Sequence, residues 1–221
     1  MNPSEIALST QATIQRLRIL PVIAIDRVDD VAPLADAPDR GGLPIAEITL
    51  RTDAGLEAIA KLSTRNDFVV GAGTVHSVEQ AKKVADAGAK FVVSPGFNPK
   101  TVQWCLDHQM PIYPGVSCPT DLETAMEFEL EVVKFFPAEQ IGGVKMLQAL
   151  QGPYGNIRFI PTGGISAANL KTYLDLPSVI ACGGSWMVKA DLINSGNFSE
   201  IQRLTAEAVA SSEGRPPSNV T

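Results

Sequence analysis

The chain has 221 residues, 45% of them hydrophobic, and a net charge of −6 at pH 7, which suits one well-buried core and is short for two full domains. No basic run offers phosphate neutralisation, so nucleic acid is excluded as a partner, while a phosphate-bearing small molecule held by backbone dipoles is not. Cys105, Cys118 and Cys182 are odd in number and scattered without a CxxC pair, which argues against a disulfide framework or a cysteine zinc site.

The opening Met1-Asn-Pro-Ser-Glu-Ile6 is polar and acidic, and no apolar run reaches the length of a signal core or membrane span. The expectation is a cytoplasmic protein without membrane contact. Residues 3–18 then read as an extra amphipathic helix, placed to close the bottom of a barrel. Apolar runs rich in β-branched residues predict strands near 19–25, 45–51, 67–74, 89–95, 110–116, 132–137, 157–163 and 178–185, with helical spacing between them. Their starts recur about every 21 to 26 residues, the length of one strand, a loop and a three-turn helix. Eight such units predict a compact (β/α)₈ TIM barrel spanning 1–221, with a doubly wound open sheet as the alternative. Ser77-Val-Glu-Gln80 fits a capping box, Asn98-Pro99 an N-cap with proline in the first turn, and Gly88 a helix end. From about 212 to 221 the tail is expected to be flexible.

In such a barrel the active site gathers at the carboxyl ends of the strands. On the second strand, alternation sends Ile48 and Leu50 towards the helices and Glu47, Thr49 and Arg51 into the barrel. A carboxylate and a guanidinium in a protein interior are costly unless paired. They form a structural pair, or they divide labour, Glu47 handling protons while Arg51 grips an anion. The third strand ends Gly71-Ala-Gly-Thr74, where absent side chains admit a ligand or serve tight packing. The fourth ends at Ser94-Pro95-Gly96 and the fifth at Pro114-Gly115, weak signals by themselves. On the sixth lies Lys134, a lone amine among Val132, Val133, Phe135 and Phe136. Burial strips an ammonium of hydration and favours the neutral amine, a nucleophile that condenses with ketones; the bland alternative is a strand-end lysine that snorkels to water. The seventh and eighth strands end in Pro161-Thr-Gly-Gly164 and Ala181-Cys-Gly-Gly-Ser185. Two glycine pairs before helix starts would aim N–H groups at one anion, with 185–190 supplying a short extra helix.

His76 and His108 lack metal-ligand spacing, so a metal-dependent site is not expected. Trp104 and Trp186 read as packing residues, Cys105 and Cys182 as small buried apolar residues, Cys118 as a helix start. Lys145 and Lys189 read as solvated charges. Neither a dinucleotide fingerprint nor a Walker sequence is present.

Taken together, Glu47-Ile-Thr-Leu-Arg-Thr52, Gly71-Ala-Gly-Thr-Val75, Ser94-Pro-Gly96, Lys134-Phe-Phe-Pro-Ala-Glu139, Gly143-Val-Lys145, Pro161-Thr-Gly-Gly-Ile165 and Gly183-Gly-Ser-Trp186 resemble the KDPG/KHG aldolases. The resemblance covers about 19–210, in order and at matching spacing. It implies a class I, metal-independent lyase of the Entner–Doudoroff pathway, without cofactor. Such an enzyme cleaves 2-dehydro-3-deoxy-6-phosphogluconate to pyruvate and glyceraldehyde 3-phosphate, and often 4-hydroxy-2-oxoglutarate to pyruvate and glyoxylate. Residue by residue, Lys134 matches the Schiff-base lysine and Glu47 the general acid/base. Arg51, Thr74 and Pro95 match the pyruvate subsite, Phe136 lies beside the lysine, and Thr162 matches a residue near the substrate hydroxyls. Gly163, Gly164, Gly184 and Ser185 match the phosphate pocket. Members are typically homotrimers.

Two stretches depart from the family pattern. Pro38 in Ala37-Pro-Asp-Arg40 should end or kink the first barrel helix, and Cys118 stands where a threonine is expected. The rivals are an aldolase for the galactonate epimer, a phosphosugar isomerase or epimerase on the same barrel, and a non-catalytic barrel that binds a sugar phosphate.

Overall fold

The computed structural model describes residues 3–212, so the tail expected to be flexible lies, beyond Ser212, outside the described residues. Ser211 and Ser212 still belong to the last helix. The strands are β1 (Ile19–Ile23), β2 (Ile45–Thr49), β3 (Val69–Gly73), β4 (Val92–Val93), β5 (Ile112–Tyr113), β6 (Gly115–Val116), β7 (Val132–Phe135), β8 (Arg158–Pro161) and β9 (Cys182–Gly184). Every ladder between them is parallel. One run of the sheet has the order β5-β4-β3-β2-β1-β9 and the other β6-β7-β8. Bridges Phe159↔Val179 and Thr162↔Gly183 join β8 to the segment of β9, which closes the ring. Eight strand positions alternating with helices make the barrel the sequence predicts, and the open sheet is set aside.

The fifth predicted strand is the exception, because it is split at Pro114. Proline has no N–H to give to a ladder. The residues before it pair with β4, those after it pair with β7, and its carbonyl accepts from Lys134 N at 2.9 Å. One extended segment thereby serves two neighbours.

Between the strands run α2 (Val31–Arg40), α3 (Gly55–Leu62), α4 (Val78–Asp86), α5 (Pro99–Asp107), α6 (Pro119–Glu127), α7 (Gly143–Gln151) and α8 (Leu170–Leu174); α1 (Pro3–Leu17) precedes β1, and α9 (Ala190–Asn194) and α10 (Phe198–Ser212) follow β9. The capping chemistry holds in most places. Asn98 accepts from Lys100 N at 3.1 Å with Pro99 in the first turn, and Gly88, at φ +91°, follows the end of α4. Ser77 accepts from Gln80 N at 3.2 Å, but the Gln80 amide reaches past it to His76 N at 2.7 Å, so only half of the expected box forms. Pro38 does not end its helix: α2 continues to Arg40. A proline this close to the carboxyl end removes only the bond back to Leu34, and the chain turns out through Leu43 N bonded to Pro38 O at 2.8 Å.

Ile14 and Leu17 of α1 are buried, and the helix ends just before β1, so it packs at the amino ends of the strands. Aromatic pairs fill the interior: Phe91 with Tyr113, and Phe135 with Phe159, both edge to face. At Gly71 a Cβ would overlap the Phe91 ring, so that glycine serves packing. Outside the barrel, Arg65 ties the loop before β3 to α2, with Nη1 at 2.5 Å from Asp36 and Nη2 at 2.9 Å from Asp67.

Candidate active site

All four residues of β7 are buried, Lys134 among them. Its side chain is 7% exposed and does not snorkel to bulk water. The amine opens instead into a cavity of about 310 Å³ at the carboxyl ends of the strands, 5.2 Å from the centre of the Phe136 ring. Nζ lies 3.4 Å from Glu47 Oε1, and that carboxylate is 1% exposed. The structural Glu47–Arg51 pair considered from sequence is therefore absent among the described residues; the partner of Glu47 is Lys134. A buried ion pair of this kind contributes little stability once desolvation is counted, and this one faces open space.

Room for Glu47 comes from the neighbouring strand. Gly73 stands beside it, and a Cβ there would overlap Oε1 and lie 2.6 Å from Cγ. Of the two glycines in Gly71-Ala-Gly-Thr74, one thus admits Phe91 and the other the carboxylate. Thr49, two residues on from Glu47 on the same face, donates its hydroxyl to Ile23 O at 2.9 Å and accepts from Arg51 Nε at 3.1 Å. Arg51 is not inside the barrel as strand alternation predicts. β2 ends at Thr49, and Leu50 N makes a bond to Gly73 O at 2.9 Å before the chain turns, so Arg51 is exposed at the rim. Its guanidinium lines the cavity and is aimed there by Thr49.

The same cavity is lined by Thr74, Pro95, Phe136, Thr162, Gly163, Gly164, Gly184 and Ser185, so every candidate singled out from sequence meets in one place. Thr74 has φ +62°, a left-handed conformation that costs a β-branched residue of order 1–3 kcal/mol and is held at the cavity wall. Thr162 is backed by Gly183, where a Cβ would overlap its Oγ1. Gly163 and Gly164 have φ of +99° and +81°. The helix expected over 185–190 is instead a turn, with Val188 N bonded to Ser185 O at 3.1 Å, and α9 begins only at Ala190. Likewise α8 begins at Leu170, six residues beyond Gly164. At this end the cavity is therefore lined by the turn residues Gly163, Gly164, Gly184 and Ser185, without a helix N-terminus immediately after either glycine pair.

Val22, Thr49, His76 and Ile165 also line the cavity. Of these, Thr49 was legible as inward-facing but had no assigned task. His76 reaches the mouth because both its backbone groups are pinned, N–H by Gln80 Oε1 and carbonyl by Asn98 Nδ2 at 3.0 Å. No cysteine is among the residues that line the cavity, and burial pushes the Cys105 thiol up to about 12 and the Cys182 thiol higher still. Among the described residues no helix is long and apolar enough to cross a membrane.

Residues 10–204 match the family model for KDPG and KHG aldolase. The 2-dehydro-3-deoxy-phosphogluconate aldolase of Haemophilus influenzae is 49% identical over 205 residues, 91% of this chain and 97% of the relative. Among solved structures, the Legionella pneumophila KDPG aldolase, with pyruvate captured as a covalent carbinolamine, superposes with a TM-score of 0.87 at 37% identity, over 90% of this chain and 97% of that one. The 2-keto-3-deoxy-6-phosphogluconate aldolase of Zymomonas mobilis with 3-phosphoglycerate gives 0.85 at 36% identity, over 92% and 97%.

Proposed function

Because the chain belongs to the KDPG and KHG aldolase family, we propose that it is a class I aldolase acting through a Schiff base on Lys134. Its substrates are 2-dehydro-3-deoxy-6-phosphogluconate and, in a second activity, 4-hydroxy-2-oxoglutarate. The observation that carries this reading is the buried amine, 3.4 Å from a buried carboxylate, facing a cavity with cationic and hydroxyl groups at one side and glycine turns at the other.

Lys134 adds as its free amine to the C2 ketone; a proton from Glu47 in its acid form, or from solvent, goes to the carbinolamine hydroxyl, which leaves as water, so that a protonated imine and the Glu47 carboxylate remain. Glu47 takes the C4 hydroxyl proton, directly or through water, the C3–C4 bond breaks, and its electron pair moves into the imine to give an enamine. Glyceraldehyde 3-phosphate leaves. Protonation at C3 restores the imine, and hydrolysis returns pyruvate and the free lysine. Since the protonated imine is itself the electron sink, the reaction is read as metal-independent and without cofactor. Arg51 and Thr74 hold the C1 carboxylate with Pro95 as a wall, Phe136 packs beside the imine, and Thr162 meets the substrate hydroxyls. Gly163, Gly164, Gly184 and Ser185 hold the distal phosphate, so that binding remote from the reacting bond orients it.

The relatives described above carry the phosphogluconate name, which supports that epimer over the galactonate one. Three free thiols suit a reducing compartment, and we place the protein in the cytoplasm; the family resemblance supports a homotrimer. The test is intact mass after pyruvate and borohydride, with peptide mapping, beside turnover of both epimers. One reduced adduct on Lys134, lost in Lys134→Ala together with turnover, is expected. A folded protein that binds substrate without adduct or turnover would return the chain to the non-catalytic reading.

A further inference from the structure

The Gly163-Gly164 turn is held in an unusual way from behind. Three successive carbonyls, those of Thr162, Gly163 and Gly164, each accept a bond from outside the cavity. Ala138 N reaches Thr162 O at 2.8 Å, Glu139 N reaches Gly163 O at 3.1 Å, and Asn169 Nδ2 reaches Gly164 O at 3.0 Å. With their carbonyls so engaged and φ positive at both glycines, the turn cannot rotate its peptides freely. The bridge between Thr162 and Gly183 engages the Gly163 N–H with Gly183 O, whereas among the described residues no acceptor bonds to the N–H of Gly164 or Ile165. Successive N–H groups in this state form a concave anion site.

The donors behind the turn are themselves braced. The Glu139 stem lies across Gly164, where a Cβ would come within 2.5 Å of its Cγ, and its carboxylate accepts from the buried Tyr173 hydroxyl of α8. Asn169 Oδ1 accepts from Ser166 N at 2.8 Å, so the amide spans the whole turn from 164 to 166 with both its ends engaged. Of the three carbonyl partners, two are backbone groups and Asn169 is a side chain.

We infer that Asn169 is a positioning residue that sets this enzyme's selectivity for phosphate-ended over carboxylate-ended substrates. It touches no substrate; by holding Gly164 O it fixes the peptide whose N–H is that of Ile165, at the cavity wall. The inference rests on the aldolase reading and on the phosphate lying at this turn, and it names the residue that shapes the subsite.

The test compares Asn169→Ala, Asn169→Asp and Ser185→Ala with the parent, in full-length protein, on 2-dehydro-3-deoxy-6-phosphogluconate and 4-hydroxy-2-oxoglutarate, with 3-phosphoglycerate as a competitive probe. Asn169→Asp keeps the acceptor for Ser166 N and so keeps the turn folded, but it has no donor for Gly164 O. Losing one such bond is expected to raise KM for the phosphorylated substrate about tenfold. The inhibition constant of 3-phosphoglycerate should rise by the same factor, kcat should stay within about twofold, and KM for the carboxylate-ended substrate should rise less than about threefold. A purely structural role would lower Tm and move both substrates together, and that result overturns the inference, as does parental selectivity in Asn169→Asp. If Asn169 variants leave selectivity intact while Ser185→Ala changes it, the positioning role alone fails. If neither residue matters, the phosphate reading beneath it fails.

Discussion

Adding one methyl group at Gly73 should disconnect the two halves of the chemistry. The Cβ of Gly73→Ala would sit 2.6 Å from Glu47 Cγ and 2.8 Å from Cδ, against ordinary contact from 3.4 Å, so the carboxylate must retreat by about 0.8 Å or more. The room it has is in the cavity that it lines, so a retreat carries the carboxylate away from its place beside Lys134. The backbone gives no relief either, because Thr49 and Gly73 are register partners in a buried ladder. The alanine itself is not strained, since the φ of Gly73 is not positive. A misplacement of about 1 Å in a catalytic group costs roughly 100-fold in rate, and loss of a general acid/base costs about 10²–10⁴-fold.

Turnover of both substrates by Gly73→Ala should therefore fall at least about 100-fold, followed as pyruvate release in a coupled assay. Lys134 keeps its place on β7, so prolonged incubation with pyruvate and borohydride should still give one adduct per chain. Parental turnover in folded Gly73→Ala would refute the role of Glu47. Loss of the adduct together with turnover would refute the division of labour between the two residues.

Thr49→Val removes the hydroxyl that aims Arg51. Because both substrates carry the C1 carboxylate, KM should rise about three- to tenfold for both, and unchanged KM would detach Arg51 from that carboxylate. Ile23 O also loses its partner, worth about 1–3 kcal/mol, so Tm in a thermal melt should drop by roughly 2–10 °C. Arg65→Gln probes the outer surface: its hydrogen bond holds the Asp67 carboxyl below the usual range. A depressed carboxylate contributes stability above its unfolded value near ~3.9 and loses it as pH falls through the folded one. The Tm deficit of Arg65→Gln should be complete at neutral pH and shrink below about pH 4; a deficit that does not change with pH would remove Asp67 from the account.

What could be read in advance follows the period of the strand. Glu47 and Lys134 stand out because a charged residue in a β-branched run has no cheap structural explanation, and the spacing of the runs leads to the barrel. Arg51 was placed by extending that period two residues too far, past the point where β2 stops pairing. Pro114 and Pro38 show the same limit from the other side. A proline's effect depends on which ladder or turn would have needed its N–H, and only the fold decides that. His76 and the left-handed backbone of Thr74 carry no local signal, although Thr74 itself was a candidate: the first is placed by Gln80 of α4 and by Asn98 at the start of α5, and the second takes a φ that no neighbour in the sequence calls for.

The glycines make the sharper case. Gly71, Gly73 and Gly183 look alike in sequence, yet each is small for a different neighbour: the Phe91 ring, the Glu47 carboxylate and the Thr162 hydroxyl. Two of those neighbours face the cavity with Lys134. A buried lysine and glutamate replaced by apolar side chains of similar volume would leave a barrel at least as stable, so core packing gives no reason for either residue to be there. Space has been left at Gly73 for a group that stability does not require, and that arrangement is what a site built to move a proton beside an amine demands.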